Sequence, residues 1–420
     1  MKWKPNPLLY AADIDFYSSF TLSVTMSDPV DHAILSRAVE TAMPRYPYFC
    51  ITPERSGNRL MLAFNPRPVA VFCDGRCAAL GGEECNGHLL SFGCEGNRIL
   101  LHASHYIADG MGIVPLLKTV LYLYASERYG TDGLQGERIA LPNEPVAEEE
   151  YAYPFPDVPF EVEAAPLSRN APDKAYGLDP HAFDGEGMYA YHLHILQRDM
   201  MSMASPQDGS PVSFLIVMMY RALCALDGSL ALPVVAHVQH QYRQALRLPL
   251  NRHSLVSYIP AFLPPHTRDR QVECLNTILR GQIILGSECS EELRAVNRML
   301  GALPSDAEAS LADKKEAMRR YVERSIGGKT FGISYVGKMD WCGLDRYVKD
   351  IHAYIGEKQT KRMMLLEVMT VGEYFTVNLM QSGRGRTYVD AFMEQLRLVG
   401  VPVSLVGEER YALCDTVLPD

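Results

Sequence analysis

Residues 141–166, LPNEPVAEEEYAYPFPDVPFEVEAAP, hold six prolines and seven acidic residues with no basic one. Proline fixes φ and removes a backbone donor, so this stretch is neither a regular helix nor a central strand. It reads as an extended crossover, a solvated linker between two parts of the chain. At 420 residues the chain is too long for one ordinary core. We therefore expect an α/β (α+β) subdomain over 1–140, a crossover over 141–188 and a second α/β subdomain over 189–420.

The periodicity on either side supports that division. TLSVTM at 21–26 alternates like a half-buried strand. Asp31 is placed to cap a helix carrying Ala33, Leu35, Ala38 and Ala42 on one face, which Pro44 and Pro47 end. RLMLAF at 59–64 and RILLHAS at 98–104 read as strands. Residues 112–130 read as an apolar helix stopped by Gly130, with Pro115 in its first turn. Beyond the crossover, strands are expected at 189–196, 232–239, 331–337, 364–372 and 374–382. Helices are expected at 211–226, about 289–301, 306–326 and 387–400.

Composition excludes several classes. Apolar residues at 47% and charged residues at 21% rule out a disordered or fibrous chain. Forty basic against fifty acidic residues lack the basic stripe of a nucleic-acid binder. Ser213 and Arg221 interrupt the most apolar window, 212–226, so no membrane span is expected. The N-terminus has no signal-peptide pattern. Ten scattered cysteines fit reduced thiols in a cytoplasm.

The sharpest local feature is SHYIADGMG at 104–112, between an expected strand and an expected helix. His105 has the residue type of a general base near neutral pH. Asp109 can hold the turn by accepting backbone hydrogen bonds or by pairing with an arginine. Gly110 and Gly112 permit positive φ and close backbone approach. A purely structural reading stands beside this one, with His105 closing the strand and Asp109 capping the helix.

SHYIADG resembles the HHxxxDG signature of the chloramphenicol acetyltransferase-like superfamily, which includes peptide-synthetase condensation domains, alcohol acetyltransferases and plant acyl-CoA transferases. DHAILSRAVETAMPRYPYF at 31–49 is similar to the family's first helix, ending in an Arg-x-Pro turn. Residues 234–264 resemble the second-half strand and loop that carry an arginine and an asparagine. FGISYVGKMDW at 331–341 is similar to the Ser-Asn-x-Gly strand of stand-alone bacterial members. The chain departs from the pattern at Ser104, in place of the first histidine, and at Tyr335, in place of the asparagine. The plant-branch DFGWG motif is absent.

The resemblance implies two acetyltransferase-like subdomains forming a pseudo-dimer with an interfacial tunnel. It implies acyl transfer from a thioester, acyl-CoA as co-substrate, to a hydroxyl or amine of a small-molecule acceptor, with no bound cofactor or metal. His105 would be the base, Asp109 structural and paired with Arg243, and Ser334 an oxyanion donor. Arg243, Asn251 and Tyr335 would lie on the substrate side. One chain would suffice as a monomer. The alternatives are an amide-forming condensation catalyst using an acyl or peptidyl carrier protein, and a non-catalytic small-molecule-binding member of the same fold.

Competing motifs are weaker. Cys73, Cys77, Cys85 and Cys94 before His102 and His105 lack the paired short spacing of structural zinc sites and read as ordinary thiols. His192 and His194 share a strand face. GGKT at 327–330 has Glu323 where a phosphate-binding loop needs glycine. GMGIVP at 110–115 lacks the third glycine of a dinucleotide loop, and no GxSxG elbow is present. QYRQALRLPLNR at 241–252 is either a phosphate contact for coenzyme A or a carrier arm, or a solvated loop.

Overall fold

In the computed structural model the described residues are 2–12, 19–156, 158–162, 172–206, 209–304, 309–356 and 363–419. Ser19–Met26 is buried along almost its whole length and pairs antiparallel with Arg98–Ser104 on one side and Val348–Ile355 on the other. Leu90–Glu95 and Val71–Phe72 complete this five-stranded sheet. Helices His32–Ala42 and Gly110–Tyr129 pack together beside it, and Leu35, Val39, Leu117 and Leu121 join one apolar core. Asp31 caps the first helix, accepting from the Ala33 and Ile34 N–H groups.

A seven-stranded sheet runs Val256–Leu263, Val234–Gln241, Phe331–Lys338, Met364–Val371, Tyr374–Ser382, Met188–Leu196 and Val403–Tyr411. Helices Pro211–Leu226 and Thr387–Leu398 pack together over a second core that includes Phe214, Val217, Leu366 and Phe392. A small sheet of Lys2–Trp3, Arg59–Phe64 and Ile51–Ser56 stands apart. Among the described residues, no helix is long and apolar enough to cross a membrane.

Several local expectations change. Val348–Ile355, from late in the chain, is an edge strand of the sheet otherwise built from the first hundred or so residues, so the late chain completes the early sheet. Val256–Leu263 contains Pro260. It is an edge strand, where a missing backbone donor is tolerated. The helix expected from 112 begins at Gly110, which puts Pro115 in its second turn and removes the bond to the Met111 carbonyl.

The solvated-linker reading fails for residues 148–152. Glu148–Tyr151 forms one helical turn, and Glu150 is buried. Its carboxylate accepts from both terminal nitrogens of Arg45, at 2.8 and 3.1 Å, and from the Tyr48 hydroxyl at 2.7 Å. Asn251 Nδ2 donates to the carbonyls of Glu149 and Ala152, at 2.9 and 2.8 Å, and the Arg252 N–H to that of Glu150. The acidic stretch is therefore a strap across the two sheets' loops. Residues 163–171 of the crossover lie outside the described residues.

The reading of ten reduced thiols is also corrected. Cys77 and Cys414 form a disulfide across 337 residues of chain. The argument for a cytoplasmic location that rested on free thiols goes with it.

Candidate active site

His105 follows the last residue of Arg98–Ser104, and Asp109 is the N-cap of Gly110–Tyr129. A turn of four residues thus joins a sheet's central strand to a buried helix. Asp109 is 2% exposed, and four hydrogen bonds occupy its carboxylate. Oδ1 accepts from the Gly112 N–H and from Arg243, both at 2.8 Å. Oδ2 accepts from Arg243 and from the Leu255 N–H, both at 2.9 Å. With both oxygens committed, Asp109 pins the His105 turn to the loop at 243–255 and does not orient the imidazole.

Arg243 and Asn251 are not on the substrate side. Arg243 spends its remaining donors on the carbonyls of Asn251 and His253, each at 2.8 Å, and on Gln241. Neither residue lines the cavities described below. Arg247, elsewhere in the arginine-rich segment, is exposed at a positive φ of 58° and lines neither cavity, so the phosphate-contact reading of that segment is also corrected. Neither Gly110 nor Gly112 takes a positive φ. Gly112 is required for packing, since a Cβ there would lie 2.3 Å from the Arg252 carbonyl oxygen, whereas Gly110 faces open space.

Two cavities, of about 970 and 260 Å³, share His105, Gln239, Val256 and Ile355 on their walls. His105 therefore stands at their junction. Its ring meets Phe20 edge-on at 5.2 Å between centroids, and Nδ1 lies 3.3 Å from the Ser254 hydroxyl. Burial holds the imidazole below its ordinary pKa, outweighing the Asp109 charge that pulls the other way.

Basic residues flank the larger cavity. Arg298, Arg324 and Lys329 line it, together with Gly327 and Gly328, so the GGKT stretch dismissed as a nucleotide loop is part of this wall. His237 lines it too, stacked on Tyr258, its pKa pushed down to about 4 by burial and the Lys329 charge.

The smaller cavity is lined by Gly110, Ser334, Tyr335 and Glu367. Ser334 donates to Glu367 Oε1 at 2.9 Å, so its hydroxyl is engaged rather than open. Glu367 is 2% exposed, and its Oε2 has no hydrogen-bond partner. Burial pushes its pKa up to about 8, only partly offset by the Ser334 bond. Sequence reasoning missed Glu367. The signal was there: a lone carboxylate inside the apolar run MLLEVMTV must be paired, neutral or functional.

No protein-family model matches the chain, and no curated protein matches it by sequence. Solved structures match nearly all of it. The TRI101 protein of F. sporotrichioides, solved with coenzyme A and T-2, is similar at a TM-score of 0.63 and 10% identity, over 97% of this chain and 100% of that one. Polyketide synthase associated protein 5 from Mycobacterium tuberculosis matches at a TM-score of 0.57 and 12% identity, over 95% and 97%. The condensation domain of the Monacolin K polyketide synthase MokA matches at 0.52 and 11%, also over 95% and 97%. At such identities the likeness is one of fold. From end to end, this chain has the fold of a protein solved with coenzyme A and of a polyketide synthase condensation domain, as the SHYIADG resemblance implies.

Proposed function

We propose that the chain transfers an acyl group from acyl-CoA to a hydroxyl or amine of a small acceptor, with His105 as general base. The observation that carries this reading is the position of His105 at the junction of two cavities, one large and flanked by basic residues, the other small and mostly apolar with Ser334, Tyr335 and Glu367 on its wall. In this reading Arg298, Arg324 and Lys329 receive the phosphates of coenzyme A, and the thioester reaches His105 through the larger cavity. The acceptor occupies the smaller one, against Tyr335. Residues from both ends of the chain, His105 on one side and Arg298, Arg324, Lys329 and Tyr335 on the other, line the two cavities, so a single chain supplies every group named.

The chemistry is an addition followed by an elimination. With Nδ1 held by Ser254, Nε2 takes the proton of the acceptor as its oxygen or nitrogen attacks the thioester carbonyl. The tetrahedral intermediate collapses, the C–S bond breaks, and the imidazolium returns the proton to the departing sulfur. A lowered pKa suits this role, because the imidazole is neutral and ready at pH 7. The oxyanion needs a donor. A neutral Glu367 can reverse its bond to Ser334, giving its own proton to Ser334 Oγ and freeing the serine O–H to turn to the oxyanion.

The test is coenzyme A release from acetyl-CoA by the wild type and by His105→Ala, with circular dichroism to confirm folding. General-base help is worth about 10²–10⁴ in rate, and a loss of that size is expected. Unchanged turnover in a folded variant would overturn the assignment.

A further inference from the structure

Cys77, His102 and Cys414 come from three parts of the chain: the loop after Val71–Phe72, the strand Arg98–Ser104 and the C-terminal tail. Two sulfurs and one imidazole nitrogen lie within 4.8 Å of one another. The sulfurs are joined as a disulfide, but a disulfide has no use for a histidine. His102 Nδ1 nevertheless lies 3.7 Å from Cys77 Sγ, on a residue 3% exposed. Its Nε2 is buried without a hydrogen-bond partner. A pair of thiolates with a neutral imidazole is a donor set suited to zinc and other borderline cations, and poorly suited to magnesium or calcium.

We propose that Cys77, His102 and Cys414 form a redox-linked site for a zinc-class divalent cation. Reduced, the two sulfurs and Nδ1 bind the ion; oxidised, the disulfide takes its place. The opening reaction is exchange with a small dithiol. Two electrons and two protons pass to the cysteines, and the dithiol closes to its own disulfide. Cation binding then displaces both thiol protons. The sulfurs must part to about 2.3 Å from the ion and the nitrogen to about 2.0–2.1 Å. The Thr21 hydroxyl, now 2.8 Å from Nδ1, must give up that contact.

The disulfide clamps the C-terminal tail to the loop after Val71–Phe72, and the cation-bound form would clamp it to the strand that ends at His105 as well. His102 lies on that strand. The Cys414 carbonyl accepts from the Ser19 hydroxyl, and Ser19 pairs with Ser104 and lines the larger cavity. The reduced, metal-free chain lacks the clamp.

The test uses the whole protein, reduced and chelator-stripped under argon, with Zn²⁺ alone titrated against a chromophoric chelator and Co²⁺ alone as spectroscopic probe. One tightly held Zn²⁺ per chain is expected, with a thiolate-to-cobalt charge-transfer band and tetrahedral d–d bands. Cys414→Ser and His102→Gln should each weaken binding roughly 100-fold or more, since even outer-shell changes cost 10–100-fold. Cys73→Ser, at an exposed free thiol, should leave it unchanged. Oxidation by a small disulfide should release the ion and lower the thiols counted in denaturant from ten to eight. In the wild type, which needs no variant to fold, Zn²⁺ should shield Cys77 and Cys414 from alkylation while Cys73 still reacts. Zn²⁺ binding no tighter than in Cys414→Ser, binding indifferent to His102→Gln, no shielding, or ten thiols after oxidation would each overturn the proposal.

Discussion

Replacing Asp109 by asparagine separates a structural aspartate from one that acts on His105. The substitution keeps the shape and one oxygen, which can still cap the helix through the Gly112 N–H. It also sets an NH₂ group against the donors of Arg243 and Leu255, and leaves the Arg243 charge 4% exposed with no counter-charge. Breaking a buried pair from one side costs about 3–5 kcal/mol. A chain of this length loses about 0.9 kcal/mol per degree near its melting point, so Tm should fall by roughly 3–6 °C. Asp109→Asn combined with Arg243→Gln should be less damaging than the sum of the two changes, by about 0.5–3 kcal/mol, because the partners touch. Differential scanning calorimetry of the four proteins measures this, with coenzyme A release assayed in parallel. If Asp109→Asn melts within about 1 °C of the wild type while turnover collapses, the aspartate acts on the chemistry, and the structural account is wrong.

Three further outcomes follow from the site. The acid limb of the transfer rate against pH should lie below the ordinary imidazole value of 6.5, because burial lowers the His105 pKa; a limb at or above that value contradicts the assignment. Glu367 sits at about 8 in the fold against 4.5 for a free glutamate. Between those values the native chain holds a proton that the unfolded chain has lost, so stability should fall as pH rises from about 4.5 to 8. Glu367→Gln should flatten that dependence in urea titrations at pH 5, 6.5 and 8, and equal slopes for both proteins would refute the raised value. Lys329→Ala and Arg298→Ala should raise KM for acyl-CoA, more at low salt than at high, with little change in kcat; a fall in kcat alone would place these residues elsewhere in the reaction.

What the sequence made legible was local. The turn SHYIADG lies between a largely apolar strand and an apolar helix, so its placement follows from patterns a dozen residues wide. The arginine opposite Asp109 lies 134 residues away and came from the resemblance to a known family, not from periodicity. Arg243 and Asn251 were set on the substrate side by the resemblance of residues 234–264 to a family loop that carries an arginine and an asparagine. The structure buries them, since a polar side chain can serve the fold by satisfying carbonyls as readily as it can serve a ligand. The strand Val256–Leu263 was not read from periodicity, and Pro260 within it fits only its place at a sheet edge. The strap at 148–152 was hidden by composition, as Glu150 among prolines and acids looks solvated until Arg45 and Tyr48 meet it. The Cys77–Cys414 bond spans 337 residues and no spacing rule could reach it. Ser334 and Glu367 sit on neighbouring strands in direct register, a relation that exists only once the sheet is assembled.

In the proposed function the 970 Å³ cavity takes acyl-CoA with its thioester at His105. A thermal-shift titration with free coenzyme A and a series of short to long acyl-CoAs, on the wild type, His105→Ala and Lys329→Ala, tests it most directly. At a hundred times its dissociation constant a ligand adds about 2.7 kcal/mol to the native state, which here is a rise of about 3 °C. The account predicts a rise that varies with acyl length, survives in His105→Ala and weakens in Lys329→Ala. No rise across the series in the wild type would contradict it.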